Sequence, residues 1–301
     1  MFTLTAVLLW GTQLPIAKDV FTKVDAYHVI AVRYGAALVF LVALLLWREG
    51  LRGFRYRGQF RRLAVAGVLG MCMSPFCTFV GLSYSRPEHA ATISAVQPLI
   101  VASVHWSMHG RRPSRFTIGC IFAAIVGVLV VVGAGQSPFE EGSSGIAGDL
   151  LILGGSAAWV AFAILSEDVR GFSTLSFTTL TLFPATVVIF AIVESLGVAG
   201  AVTWPPLATL LSVGWELLFM SLGTVVVSML CWNAGTRTIG ALNAMLFINF
   251  QPVVTFVVRF VEGHHIRAAE LVGAAVVVGA LIANSLHLRS LTPSAARVRP
   301  S

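Results

Sequence analysis

Apolar runs of about twenty residues follow one another along nearly the whole chain. They fall at about 1–17, 26–47, 63–85, 88–108, 115–134, 147–166, 173–194, 209–236, 240–262 and 267–288, between charged or Pro/Gly breaks. A helix that crosses a bilayer needs roughly 20 such residues. In hydrocarbon each backbone N–H and C=O must be satisfied inside its own segment, which selects helix. Only 11% of residues are charged and 57% are hydrophobic, where a soluble domain has about a quarter charged. The expected fold class is therefore an all-α membrane protein with ten transmembrane helices. No stretch between the runs is long enough for a separate soluble domain. The first run lacks the charged start and small-residue cleavage site of a secretory leader. It is expected to stay as the first helix, with a few natural residues lost before it.

One stretch occurs twice. Shifting the chain by 154 positions puts Cys77 on Cys231, Gly81 on Gly235, Ala90 on Ala244, Gln97-Pro98 on Gln251-Pro252 and Gly119 on Gly273. The Gln-Pro pair lies inside an apolar run both times. Proline frees a carbonyl there, and the glutamine needs a polar partner. Two copies in register point to a duplicated unit, and duplicated halves are how many carriers build a site at mid-membrane. The start of each half matches less closely, LLWGTQLPIAK around Trp10 against AAWVAFAILSE around Trp159.

Orientation follows the arginines. Segment 48–62 holds Arg48, Arg52, Arg55, Arg57, Arg61 and Arg62 against Glu49 alone. Segment 109–115 and the tail add more, and all three fall on one side when spans are counted. Segment 135–149 carries Glu140, Glu141 and Asp149 and falls on the other. Both termini are thus expected in the cytoplasm, and the +7 charge needs no nucleic acid to explain it. Five spans per half is odd, so the two copies must be inverted relative to each other. The expected organisation is a first five-helix repeat over 1–134, an external linker at 135–146, a second repeat over 147–288 and a cytoplasmic tail at 289–301.

WGTQLPIAK in the first span, YSRPEHAATISAVQP from Tyr84 to Pro98, and VEGHHIRAAELVGAAVVVGALIA from Val261 carry a resemblance. The chain resembles the EamA-type carriers of the drug/metabolite transporter superfamily, and within them the bacterial exporters of aromatic amino acids. The likeness covers nearly the whole chain. One departure is that Glu262 follows the ninth span while Met108 holds the matching place in the first half. The resemblance implies ten helices and a central cavity lined by helices one to four and six to nine, with helices five and ten peripheral.

Enzyme chemistry finds little to stand on. Cys72, Cys77, Cys120 and Cys231 lie in apolar runs without CxxC spacing and read as small hydrophobes. His105 and His109 share a helix face but lack a metalloprotease glutamate, and His264 and His265 fall at the opposite side. No GxSxG, Walker A or GxGxxG run occurs, so no catalytic residue, metal or cofactor is expected. The expected partners are a small-molecule substrate and the lipid bilayer, with no nucleic acid and no protein.

No Asp or Glu lies near the middle of a span. The middle is uncharged and polar, interleaved with rings. Helix one offers Trp10 and Gln13, helix three Phe76 and Phe79, helix four Gln97, and helix six Trp159 and Phe162. Helices eight and nine offer Asn233, Phe247, Asn249 and Gln251. A lipid-facing amide would be unsatisfied, so the amides must point inward. These residues are the expected substrate-binding set, suited to a neutral or zwitterionic, partly apolar solute. Pro98 and Pro252 are expected to loosen the gates. Arg33 and Arg259 fall in the outer half, where they either close an outer gate or attract a carboxylate, or else snorkel or pair structurally. Lys18, Asp19, Glu194, Glu216 and Glu262 are expected to be solvated or interfacial near the outer surface. The reading is a bacterial inner-membrane carrier that exports aromatic or other apolar amino acids by facilitated alternating access, with a proton-coupled drug exporter of the same fold as the alternative.

Overall fold

The computed structural model describes residues 1–97, 100–101, 114–133, 142–167, 169–239 and 244–291. Among these, every regular element is helical. In chain order they are α1 (Phe2–Val20), α2 (Ala26–Glu49), α3 (Phe60–Tyr84), α4 (Pro87–Ser94) and α5 (Arg115–Gly133). Then come α6 (Gly142–Glu167), α7 (Thr174–Val198), α8 (Gly214–Ile239), α9 (Phe250–Val261) and α10 (Ala268–Leu291). Among the described residues, helices α2, α3, α6, α7 and α8 hold 5 spans long and apolar enough to cross a membrane.

Local sequence sets the starts. The Asp25 carboxylate accepts from the backbone N–H of Tyr27 and His28 and caps α2. The Ser173 hydroxyl accepts from Ser176 N–H and caps α7. Pro87 opens α4 and forces Arg86 into an extended conformation, which breaks the chain cleanly from α3.

The helices are apolar on every side. Their inward faces build one large core that includes Leu14, Ile30, Leu82, Ile152, Met220 and Trp232. Their outward faces leave Phe40, Trp47, Phe122, Leu129, Val257 and Phe260 exposed. Such a surface costs about 25 cal/mol per Å² in water, and hydrocarbon removes that cost. With lipid outside, helices meet through close backbone approach. A side chain at Gly67 would lie 2.0 Å from the Thr181 carbonyl oxygen of α7. Gly81 of α3 faces Gly148 of α6 in the same way, and Gly127 of α5 faces Gly273 of α10.

Helix α1 packs on α8 and α9, and α6 packs on α3 and α4. Helix α2 packs on α7 and α8, α7 also on α3, and α5 on α10. This set is unchanged when each helix is exchanged for the one five places away. Two further features match across the halves. Helix α3 widens to a π-helix over Val68–Met73, and α8 does so over Phe219–Val227. A shift of 154 carries the first into the second. Before each Gln-Pro pair the helix is also distorted, as a turn at Ala95-Val96 and as a 3-10 segment at Leu246–Asn249. The proline lacks the N–H that would hold the carbonyl four residues back.

Candidate binding cavity

Helices α1, α2, α3, α6, α8 and the segments that end at Gln97 and Gln251 border a narrow cavity with about 80 Å³ of accessible space. Its wall joins the halves position by position. Gly70 and Thr224, Pro75 and Met229, Ser94 and Ile248, and Gln97 and Gln251 all line it, and each pair is related by the shift of 154. Trp10 and Trp159, the paired tryptophans of α1 and α6, complete the match.

The indoles meet in the centre. Trp10 and Trp159 lie edge to face with centroids 5.1 Å apart, and Trp232 of α8 lies 5.3 Å from the first and 5.7 Å from the second. Trp10 Nε1 donates to the Thr224 carbonyl at 3.0 Å. That carbonyl lies in the π-helical turn, where the extra residue puts the ordinary i+4 donor out of register. Beyond the indoles a vestibule is lined by Phe162, Phe172, Trp232, Asn233 and Arg237. It sits at the end of the bundle where Gln59 donates to the Arg170 carbonyl and Arg237 to the Phe172 carbonyl. This is the end of the arginine-rich segment.

The opposite end is tied shut. Arg259 Nε of α9 donates to Glu88 of α4 at 3.0 Å, and its Nη1 to Glu262 at 3.3 Å. Arg86 Nη1 donates to Glu270 of α10 at 2.5 Å. His89 Nδ1 lies 3.4 Å from Asp149 of α6, which also accepts from the Ser85 hydroxyl. Lys18 donates to the carbonyls of Leu82, Ser83 and Ser85, so it caps the end of α3 and is not solvated as its position suggested. Glu88, His89 and Glu270 are at most 1% exposed. Sequence reading missed these carboxylates because each stands in the first turn of a helix, where most are solvated. What buries them is a partner on another helix.

Of the expected binding set, the cavity gathers Trp10, Gln13, Phe79, Gln97, Trp159 and Gln251. Phe162 and Asn233 belong to the vestibule, where Asn233 donates to Thr178 at 2.8 Å. Phe76 packs on Tyr27, Phe247 packs on the core, and Asn249 is buried away from the cavity wall. Pro252 is buried in the first turn of α9, while Pro98, His105 and His109 lie outside the described residues. The two arginines part company. Arg259 belongs to the closed end, and Arg33 stands on the cavity wall, 2% exposed, too deep to snorkel. Thr224, Tyr34 and Met229 also line the cavity, and their uncharged or hydroxyl side chains gave no signal in an apolar run.

Arg33 Nη2 donates to Gln13 Oε1 at 2.8 Å and to Thr224 Oγ1 at 2.9 Å. Its guanidinium carbon lies 4.4 Å from the Phe79 ring centroid. Two charge-assisted hydrogen bonds contribute about 1.5–3 kcal/mol each and a desolvated cation–π contact about 2 kcal/mol. They offset a burial cost of several kcal/mol, with no carboxylate partner for Arg33 among the described residues. The described residues hold no group of three or more His, Cys, Asp or Glu side chains able to bind a metal.

A model of the EamA-like transporter family matches residues 1–133 and 146–286. Two transporters of Bacillus subtilis, both named uncharacterized, align over almost the full length. YrdR is 28% identical over 290 residues, which are 95% of this chain and 90% of its own. YyaM is 30% identical over 278 residues, 92% of this chain and 90% of its own. One solved crystal structure superposes with a TM-score of 0.69 over 96% of this chain and 97% of its own, at 19% identity, a likeness of fold.

Proposed function

The chain belongs to the EamA-like transporter family, and on that premise we propose that it is a secondary carrier that exports small amphipathic metabolites, chiefly aromatic or other apolar amino acids. It works by alternating access in the bacterial inner membrane, as two inverted five-helix repeats with both termini in the cytoplasm. The observation that carries this reading is the cavity wall, where four pairs of positions 154 residues apart meet around one space. Inverted repeats place a midplane site at their interface, and exchanging the conformations of the halves turns an inward-facing carrier outward. The vestibule lies at the arginine-rich end, so the described conformation faces the cytoplasm, and the tied end is the outer gate.

The lining fits an amphipathic solute, with amides and hydroxyls for polar groups beside two indoles for a ring. An exporter of cations is disfavoured by a guanidinium on the wall. Movement is facilitated on this reading, since no carboxylate lines the cavity among the described residues. The buried Asp149–His89 contact is the one feature that favours proton coupling. Purified protein in liposomes loaded with labelled tryptophan or phenylalanine tests the reading. Efflux should run without an imposed pH gradient or potential. Absence of flux for every aromatic amino acid would overturn the substrate class, and accumulation driven by a pH step alone would overturn the facilitated mechanism.

A further inference from the structure

Arg33 is the buried arginine among the described residues, and its partners differ from those of the more exposed ones. Arg86 and Arg259 are held by carboxylates and Arg237 by a carbonyl. Arg33 is held only by neutral oxygens, through Nη2 alone. A guanidinium has five N–H donors, and Nη2 accounts for two. Nε and Nη1 are buried without a hydrogen-bond partner. A full positive charge with three free N–H bonds thus stands on the wall of a cavity whose other described lining side chains are uncharged. The two-fold match of the halves fails here as well. The counterpart positions on α7, 182–187, read LFPATV and carry no charge. A charge that the repeat does not require, and that the fold leaves unneutralised, is a feature of the ligand side of the problem.

Resting on the carrier reading above, we infer that Arg33 is the seat of the substrate's carboxylate. The ring of the substrate lies towards Trp10 and Trp159. Thr224 sets the spacing, since its carbonyl accepts from Trp10 Nε1 and its hydroxyl from Arg33. Cation and indole are therefore one residue apart. One guanidinium neutralises one negative charge. A carboxylate monoanion answers the guanidinium's charge and leaves the ammonium of an amino acid to neutral acceptors such as the unpartnered Gln97 Oε1 on the same wall, whereas a phosphate dianion would leave a buried negative charge unmet. Gln13 and Thr224 hold the guanidinium in place between cycles.

The full-length protein in lipid nanodiscs tests this with 3-phenylpropionate, its amide 3-phenylpropionamide, and inorganic phosphate, followed by intrinsic tryptophan fluorescence. The wild-type protein should bind the acid at least about tenfold more tightly than the amide, a comparison that needs no variant. Arg33→Gln should abolish that preference and leave amide binding within about twofold, and Arg33→Lys should keep part of it. Arg33→Met should melt at the same temperature as wild type or higher, because the contacts it loses only offset the cost of burying a charge that has no counter-ion among the described residues, whereas a merely structural arginine would lower the melting temperature. Equal binding of acid and amide by the wild type, failure of both to bind, an acid preference that survives Arg33→Gln, or displacement of the acid by millimolar phosphate would each overturn the assignment. Arg33-dependent acid binding without flux in liposomes would sink the carrier reading and keep the site. Aromatic amino acid flux unchanged in Arg33→Gln would sink the site and keep the carrier.

Discussion

Trp10 shows how much one side chain can organise. It touches two other indoles, donates to α8 and borders the cavity, so it links the halves while presenting a ring face to whatever enters. Trp159 borders the cavity from the second half and touches Trp10 and Trp232, and Gln251 supplies an amide beside them. A well-placed aromatic contact contributes about 0.5–1.5 kcal/mol beyond area burial, or roughly 2- to 12-fold in affinity. Trp10→Ala, Trp159→Ala and Gln251→Ala should therefore each weaken competition by unlabelled substrate several-fold in a transport assay. If apparent affinity is untouched in all three, these side chains are packing and the substrate sits elsewhere.

At the scale of the helix, irregularity is concentrated around the cavity. The π-helical turns of α3 and α8 and the distorted segments before the Gln-Pro pairs surround it, while α5 and α10 run without interruption through the described residues. A helix with a freed carbonyl bends more easily, which suits an element that must change its tilt. Pro98→Ala and Pro252→Ala should slow flux more than they reduce the yield of monodisperse protein. Equal losses in both measurements would mark the prolines as structural only. Where helices merely pack, glycine decides the distance. Gly67→Ala drives a methyl into the Thr181 carbonyl and should lower stability by about 1–3 kcal/mol, seen as a drop in melting temperature. Gly119→Ala has open space around it and should be neutral or raise stability by up to about 1 kcal/mol. A reversed order of the two would contradict the helix contacts described for α3 and α7.

On the carrier reading proposed above, the balance between the two faces of the molecule rests on the ties at the end opposite the vestibule. Glu88 loses its closest partner in Arg259→Gln, and removing one member of a buried ion pair costs about 3–5 kcal/mol. That cost falls on the inward-facing state, where the pair is closed, so the population should move outward. A cysteine placed at the buried Ala91 in a cysteine-free background should then react faster with an external, membrane-impermeant maleimide. No change in its rate would show that the ties do not hold the gate. The same reagent fixes orientation. A cysteine at Gly58, in the arginine-rich segment, should stay unlabelled in intact cells, and one at Gly263, between α9 and α10, should label. The opposite pattern would invert the topology and the direction of every argument built on it.

The sequence alone determined the membrane class, the helical backbone and the inward placement of the amides. Each follows from a local rule. The length of an apolar run decides whether it can span, an unpaired peptide group in hydrocarbon forces helix, and an amide cannot face lipid. Gln13, Gln97, Asn233, Asn249 and Gln251 are accordingly all buried. The sequence also displayed the shift of 154, though not that the paired positions face a single space. Tertiary structure decided which charges are answered and which are not. Glu88 and Arg259 are 171 residues apart, and Arg33 and Thr224 are 191 apart. No local pattern could have told that the first arginine meets carboxylates and the second only neutral oxygens. The energy of a buried charge depends on the atoms within a few ångströms of it, and in a helical membrane protein those atoms come from other helices.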